Sequence, residues 1–240
     1  MATVHEIAPD VFRISTMVEQ AGLGFNQFLV RDEKPLLFHT GLKAMFPDIK
    51  KAVATLIDPT KLAYISYSHF EQDECGSANE WLATAPQAKI ACGFVAAMVN
   101  GYDAFSRPPQ PLNDGETLKT GKFSFKMIAT PQVPHSWDAC MLFEEKNGTL
   151  FCSDLFHQNG KTEATTTNDI LPSVREAMMA YNDGPFGHYM PWTPRTRGTL
   201  QKLAALKPQT LAVMHGAAYK GDGAKALNAL ADVMAEVCGK

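Results

Sequence analysis

His69, Glu71 and Asp73 stand at alternate positions in the stretch SYSHFEQDECGS (66–77), and Glu74 follows at once. One imidazole and several carboxylates aimed at a common space would make a site for a divalent transition metal. In an extended segment residues 69, 71 and 73 share one side, because strand side chains alternate with period two, whereas a helix would turn Glu71 away from the others. The competing reading is a solvated acidic turn ahead of a helix, which the helix dipole favours. Position along the chain separates the two readings. His69 follows the run KLAYISYS (61–68), His135 follows KFSFKMIAT (122–130), Asp154 follows TLFCS (149–153) and His215 follows TLAVM (210–214). Four metal-binding side chains thus sit just past four strand-like runs, where loops are free in shape but anchored by a rigid sheet.

The elements that must hold these loops are legible as short apolar runs. VFRIST (11–16), FNQFLVR (25–31) and PLLFHT (35–40) read as strands, PDIKKAVATLI (47–57) as a helix, and KLAYISYS as a strand. Ser77 and Glu80 have capping-box spacing and predict a helix from about residue 77. KIACGFVAAMV (89–99) reads as a further helix, and PPQPLNDGE (108–116) as a loop. In the second half KFSFKMIAT, ACMLFEE (139–145), TLFCS and TLAVM read as strands, with KNG a turn. TRGTLQKLAAL (196–206) and GAKALNALADVMAEV (223–237) read as helices. Strand clusters separated by helices predict an α/β fold with two sheets in the middle and helices outside.

Composition limits the function classes. The 240 residues suit one α/β domain spanning 1–240, and a formal charge of −3 gives no reason to expect nucleic acid or an anionic membrane as partner. The N-terminus lacks a basic segment followed by an apolar run, and no apolar stretch is long enough to span a bilayer, so a cytoplasmic protein is expected. Five cysteines without C-x-x-C spacing argue against a disulfide framework or a Cys-rich zinc site. Cys75, beside the acidic stretch, is expected to be a buried inert thiol. Met98, Met127, Met141, Met178, Met179, Met214 and Met234 are expected in the core.

The chain resembles the diiron domain of flavodiiron proteins, in the metallo-β-lactamase superfamily. NQFLVRDEKPLLFHTG is similar to the paired opening strands of that domain, and ISYSHFEQDECGS to its H-x-E-x-D loop. IATPQVPHSWDACMLF is similar to the segment carrying its next histidine, and LFCSDLFHQ to the one carrying its aspartate bridge. MPWTPRTRGTLQKLAALKPQTLAVMHG is similar to its penultimate helix, strand and final histidine. The resemblance implies a four-layer αββα sandwich and two metal ions. His69, Glu71 and His135 would bind one ion, Asp73 and His215 the other, with Asp154 between them.

Zinc hydrolases of the superfamily carry a second imidazole where this chain has Glu71. Three carboxylates among six donors shift preference toward iron, with manganese or zinc still open, and leave one net positive charge on two divalent ions. Where the family pattern usually continues with a histidine, this chain has Glu74, which can bind the second ion, stand behind it, or leave a position for water. His39 is expected to hydrogen-bond the ligand loop from behind. Trp137 and Asp138 are expected to wall or orient the site, with His157, His188, Tyr189 and Tyr219 near it and the polar run 160–169 at its mouth.

The function implied is binding or reduction of O2 or NO, as a sensor or as a reductase. No flavodoxin-like FMN segment is expected in this chain, so electrons would come from a separate flavin or rubredoxin-type donor. A homodimer is expected from the family's habit. A dinuclear hydrolase of the same fold is the alternative. No catalytic residue beyond the metal donors is assigned.

Overall fold

The structure, a computed structural model, describes residues 2–239. Strands β1 (Thr3–Ala8), β2 (Val11–Val18) and β3 (Leu23–Val30) form an antiparallel meander, and β4 (Leu36–Phe38) pairs antiparallel with β3. From there the chain winds through helices, so the next pairings are parallel. Helix α1 (Phe46–Ala54) leads to β5 (Tyr64–Ser66), and α2 (Gln72–Cys75) and α3 (Ala78–Thr84) lead to β6 (Lys89–Gly93). A helical segment made of α4 (Phe94–Ala96), a π-helical turn at Ala97–Gly101 and α5 (Tyr102–Ala104) then leads to β7 (Gln110–Leu112). These seven strands form one sheet in chain order.

The second sheet runs β12-β14-β13-β11-β10-β9-β8. It comprises β8 (Thr117–Lys119), β9 (Ser124–Ala129), β10 (Cys140–Glu144), β11 (Thr149–Phe151), β12 (Thr165–Thr166), β13 (Thr210–Ala212) and β14 (Ala218–Lys220). Helices α6 (Leu171–Asn182), α7 (Thr196–Ala204) and α8 (Gly223–Cys238) cover its outer face.

Alternation along the strands creates the layers. Phe28, Val30, Leu36 and Phe38 point between the sheets, while their neighbours Leu29 and Leu37 pack outward with Ile49, Val53 and Trp81 of α1 and α3. In the other sheet Leu142 points inward, and Met141 and Phe143 point outward toward α6, α7 and α8. Phe151 sits at the centre of the inner layer, 5.6 Å from Phe28 and 5.0 Å from Phe38, ring centre to ring centre. Two mixed sheets between helical layers make the four-layer αββα sandwich of the metallo-β-lactamase fold.

Several sequence expectations are corrected here. Residues 89–93 are a strand rather than the start of a helix. Ile90 and Cys92 pack outward and Ala91 inward, so an uninterrupted apolar run hid a period of two, as central parallel strands commonly do. The predicted loop 108–116 contributes β7, an edge strand on which Pro111 costs no ladder bond that matters. Ser77 precedes α3 but does not cap it, because its Oγ donates to the Thr40 carbonyl at 2.7 Å. Strands β1, β8, β12 and β14 and helix α6 were not predicted. Met98 and Met179 are exposed, at 62% and 41%, whereas the other five methionines named above are buried. Met1 and Lys240 of the predicted span lie outside the described residues. Among the described residues no helix is long and apolar enough to cross a membrane.

Candidate metal centre

Loops from both sheets bring six donor side chains to one end of the sandwich. His69 follows β5 and Glu71 stands two residues on, in extended conformation. The extended reading stops there: Gln72–Cys75 is one helical turn, and it is this turn that swings Asp73 toward the far side of the cluster. His135 lies in the β9–β10 loop, Asp154 follows β11, and His215 follows β13.

The distances divide the donors into two groups that share one residue. His135 Nε2 is 2.9 Å from His69 Nε2 and 3.2 Å from a Glu71 oxygen. Asp154 Oδ2 lies 3.5 Å from His69 Nε2 and 3.4 Å from His135 Nε2. The other oxygen, Oδ1, lies 3.3 Å from His215 Nε2, which is also 3.3 Å from Asp73 Oδ2. Donors bound about 2.1 Å from one ion stand roughly 3–3.5 Å apart, so the first group has the spacing of a coordination shell, and His215 stands at that spacing from both Asp73 and Asp154. Three donors, His69, His135 and Asp154, are close enough together to hold one ion.

The fit also rests on what the donors lack. Asp154 Oδ1 and both Glu74 oxygens are buried, and none of them accepts a hydrogen bond of normal geometry. Buried carboxylate oxygens without donors are costly, and a cation at this point removes the cost. Glu74 is fully buried, with one oxygen 3.9 Å from His69 Nε2, so it groups with His69 and Glu71 rather than with His215. Burial, with the charges of Asp154 and Asp73 nearby, raises its carboxyl well above the usual range. Burial likewise opposes charge on His215, but the Asp154 and Asp73 carboxylates, each 3.3 Å from its Nε2, outweigh it and lift the ring to about 10. For Asp154 the same contest ends below the ordinary carboxylate range, through His215 and the His69 ring. A proton on His215 therefore occupies the place that a metal ion would take.

Neighbouring groups orient the rings. The Gly24 carbonyl, 2.9 Å from His215 Nδ1, can only accept, so Nδ1 carries the hydrogen and Nε2 faces Asp73 and Asp154. His69 Nδ1 is contacted by the hydroxyls of Ser68 at 3.1 Å and Ser153 at 3.2 Å. Behind Ser68 stands buried His39, 3.0 Å away, as expected from the sequence. Asn26, which the sequence reading missed, donates to the Val213 and Gly216 carbonyls and so clamps the His215 loop to β3. No motif marks it, because its partners are backbone atoms nearly two hundred residues away.

Leu23, Phe25 and Leu42 face Tyr181, Phe186 and Tyr189 across a cavity of about 550 Å³ whose floor is the donor cluster. His157 and His188 line it too, as expected; Tyr219 does not. His157 is pulled down to about 4 by burial and by the nearby His215 charge, so it is neutral at neutral pH. Asp138 is buried and accepts from the Phe70 N–H at 3.1 Å, which steadies the ligand loop. Trp137 is 63% exposed and lies outside the cavity, and residues 160–165 line a separate cleft rather than the site mouth. Cys75 is buried, and burial pushes its thiol up, out of the reactive range.

The sequence profile of the family described as ODP family beta lactamase matches residues 23–216, a span that includes all six donors. The chain belongs to this family. Among related proteins, the rubredoxin-oxygen oxidoreductase of Megalodesulfovibrio gigas is 28% identical over 208 residues, covering 83% of this chain and 50% of that protein. The anaerobic nitric oxide reductase flavorubredoxin of Salmonella arizonae is 25% identical over 142 residues, covering 58% of this chain and 29% of that protein. The chain thus spans half or less of these relatives. Among solved structures, the flavodiiron protein of Giardia intestinalis superposes with a TM-score of 0.80 at 18% identity, over 98% of this chain and 59% of that one. The ODP-family chain corresponds to the β-lactamase-like part of flavodiiron proteins, as the sequence resemblance implied.

Proposed function

We propose that this ODP-family chain would hold two iron ions and serve in the binding and reduction of O2 or NO, with electrons from a flavin or rubredoxin-type donor. The observation that carries the proposal is Asp154, which turns one oxygen to His69 and His135 and the other to His215, itself 3.3 Å from Asp73. His69, Glu71 and His135 would hold the first ion, Asp73 and His215 the second. Glu71 in place of an imidazole gives an oxygen-rich set, which favours iron over zinc. The names of the relatives agree, since one is an oxygen oxidoreductase and another a nitric oxide reductase.

Bound iron would supply reversible one-electron chemistry toward a diatomic ligand. The protein supplies the surroundings. Tyr181, Phe186, Tyr189 and Leu23 present apolar surface that limits water over the donors. Neutral His157 keeps further positive charge away from His215. The Gly24 carbonyl and the Ser68 and Ser153 hydroxyls hold the His215 and His69 rings in one orientation.

Two measurements test the reading. Protein expressed in iron-replete and zinc-replete media should hold mainly iron in the first case. After anaerobic iron loading, O2 or NO should change its absorbance. Tightly held zinc under both conditions, together with ester or thioester hydrolysis, would move the protein to the hydrolase class. No spectral response to either gas would end the redox reading.

A narrower prediction concerns the ring supports. Ser153→Ala removes a hydroxyl 3.2 Å from His69 Nδ1 while leaving every donor residue in place, and should weaken metal affinity by about 10–100-fold. Competition with a chelator checks it; unchanged affinity would leave Ser153 a packing residue only.

A further inference from the structure

Arg13 is a buried charge with no acid beside it. It lies on β2, only 4% exposed, and faces across to a polar cleft of about 630 Å³ between the β1–β2 edge and the 160–165 segment. Nη2 donates to the Gly216 carbonyl at 3.1 Å, whereas Nε is buried and donates to nothing. Among the described residues no carboxylate forms an ion pair with it; Glu19 and Glu163, which also line the cleft, are exposed at its rim. Burial draws the guanidinium down to about 10, which leaves it charged at neutral pH. A buried cation without a counter-ion is expensive, and natural proteins generally provide one.

The rest of the cleft supplies donors of the matching kind. Thr3 and His5 on β1 stand directly opposite Ser15 and Arg13 on β2, so all four share one face of the sheet. Lys161 and Thr162 close the cleft from the other side. The cluster is distinct from the metal centre, with no lining residue in common with the cavity over the donors.

We propose that this cleft is a binding site for a small oxyanion, a phosphate or carboxylate group held on the Arg13 guanidinium with Ser15 and Lys161 as further donors. A planar guanidinium with free N–H groups takes such an anion through paired, charge-assisted hydrogen bonds, and a low-dielectric wall strengthens them. The site stands whether or not the metal reading holds.

Isothermal calorimetry on the full chain as purified, with inorganic phosphate and with acetate as separate probes at ionic strength held constant by sodium chloride, tests it. Saturable binding of at least one probe is expected, and which probe binds more tightly identifies the group. Arg13→Gln should weaken that binding by about tenfold or more, the usual worth of a charged hydrogen bond. Saturable binding that Arg13→Gln leaves unchanged would place the anion elsewhere and overturn the proposal, as would no binding of either probe. Should Arg13→Gln not fold, Ser15→Ala and Lys161→Met carry the test. Weaker binding in either is the expected result, and unchanged binding in both overturns the site.

Discussion

Replacing Asp154 with Ala is expected to empty both metal positions, taking the content from about two ions per chain to near none. No other donor touches both groups. Its Oδ2 stands within 3.5 Å of both His69 and His135, and its Oδ1 3.3 Å from His215. Losing it removes one anionic donor from each position and leaves the imidazoles of His69 and His135, 2.9 Å apart, with less negative charge to draw a cation in. His215→Ala is expected to behave differently. It takes the only imidazole from the second group and leaves the first intact, so about one ion should remain. Elemental analysis of both variants, with circular dichroism to show that each is folded, checks the contrast. Full occupancy in Asp154→Ala would refute the bridging assignment, and equal loss in both variants would show that the two positions fill only together.

Metal removal should produce the largest change in stability. An ion present at a thousand times its dissociation constant stabilises the folded state by about 4 kcal/mol, which in a domain of this size is roughly 8–16 °C of Tm for each ion. The loss should depend on pH in a definite direction. In the metal-free protein His215 has a folded-state value of about 10 against an ordinary 6.5. Glu74 is likewise raised above its unfolded value. Groups raised in the folded state contribute stability that is complete at low pH and is lost as pH rises through the folded value. Chelated protein should therefore lose stability as pH climbs from about 6.5 toward 10, as the proton that neutralises the Asp73–Asp154 pair departs. Metal-loaded protein should not, because the ion replaces that proton. Thermal melts with and without chelator across this range should show a widening gap. A gap that narrows with pH would contradict the placement of His215 against the two carboxylates.

Much of this protein is legible in its chain. Alternating apolar residues along 122–130, and short β-prone apolar runs at 11–16 and 25–31, predict strands, and such patterns are a local property of sequence. The donors His69, Glu71, Asp73, His135, Asp154 and His215 could be nominated because each lies on or just past a strand-ending loop, and because the motifs as a set resemble those of one family. Expectations failed where local pattern is silent. Residues 89–93 lie in a sheet covered on both faces, so no polar residue marked the strand's alternation.

What only the tertiary structure decided are relations between distant segments. That Asp154 faces two groups at once depends on how one sheet stacks on the other. So does the Asn26 clamp on the His215 loop, and so does the Glu74 side chain buried beneath His69. Arg13 reads in sequence as one more polar residue on a strand; the packing of the 160–165 segment and the Gly216 carbonyl against it turns it into a buried charge. Periodicity reports which side of an element avoids water, but distances between loops follow from long-range packing, which no short window of residues contains.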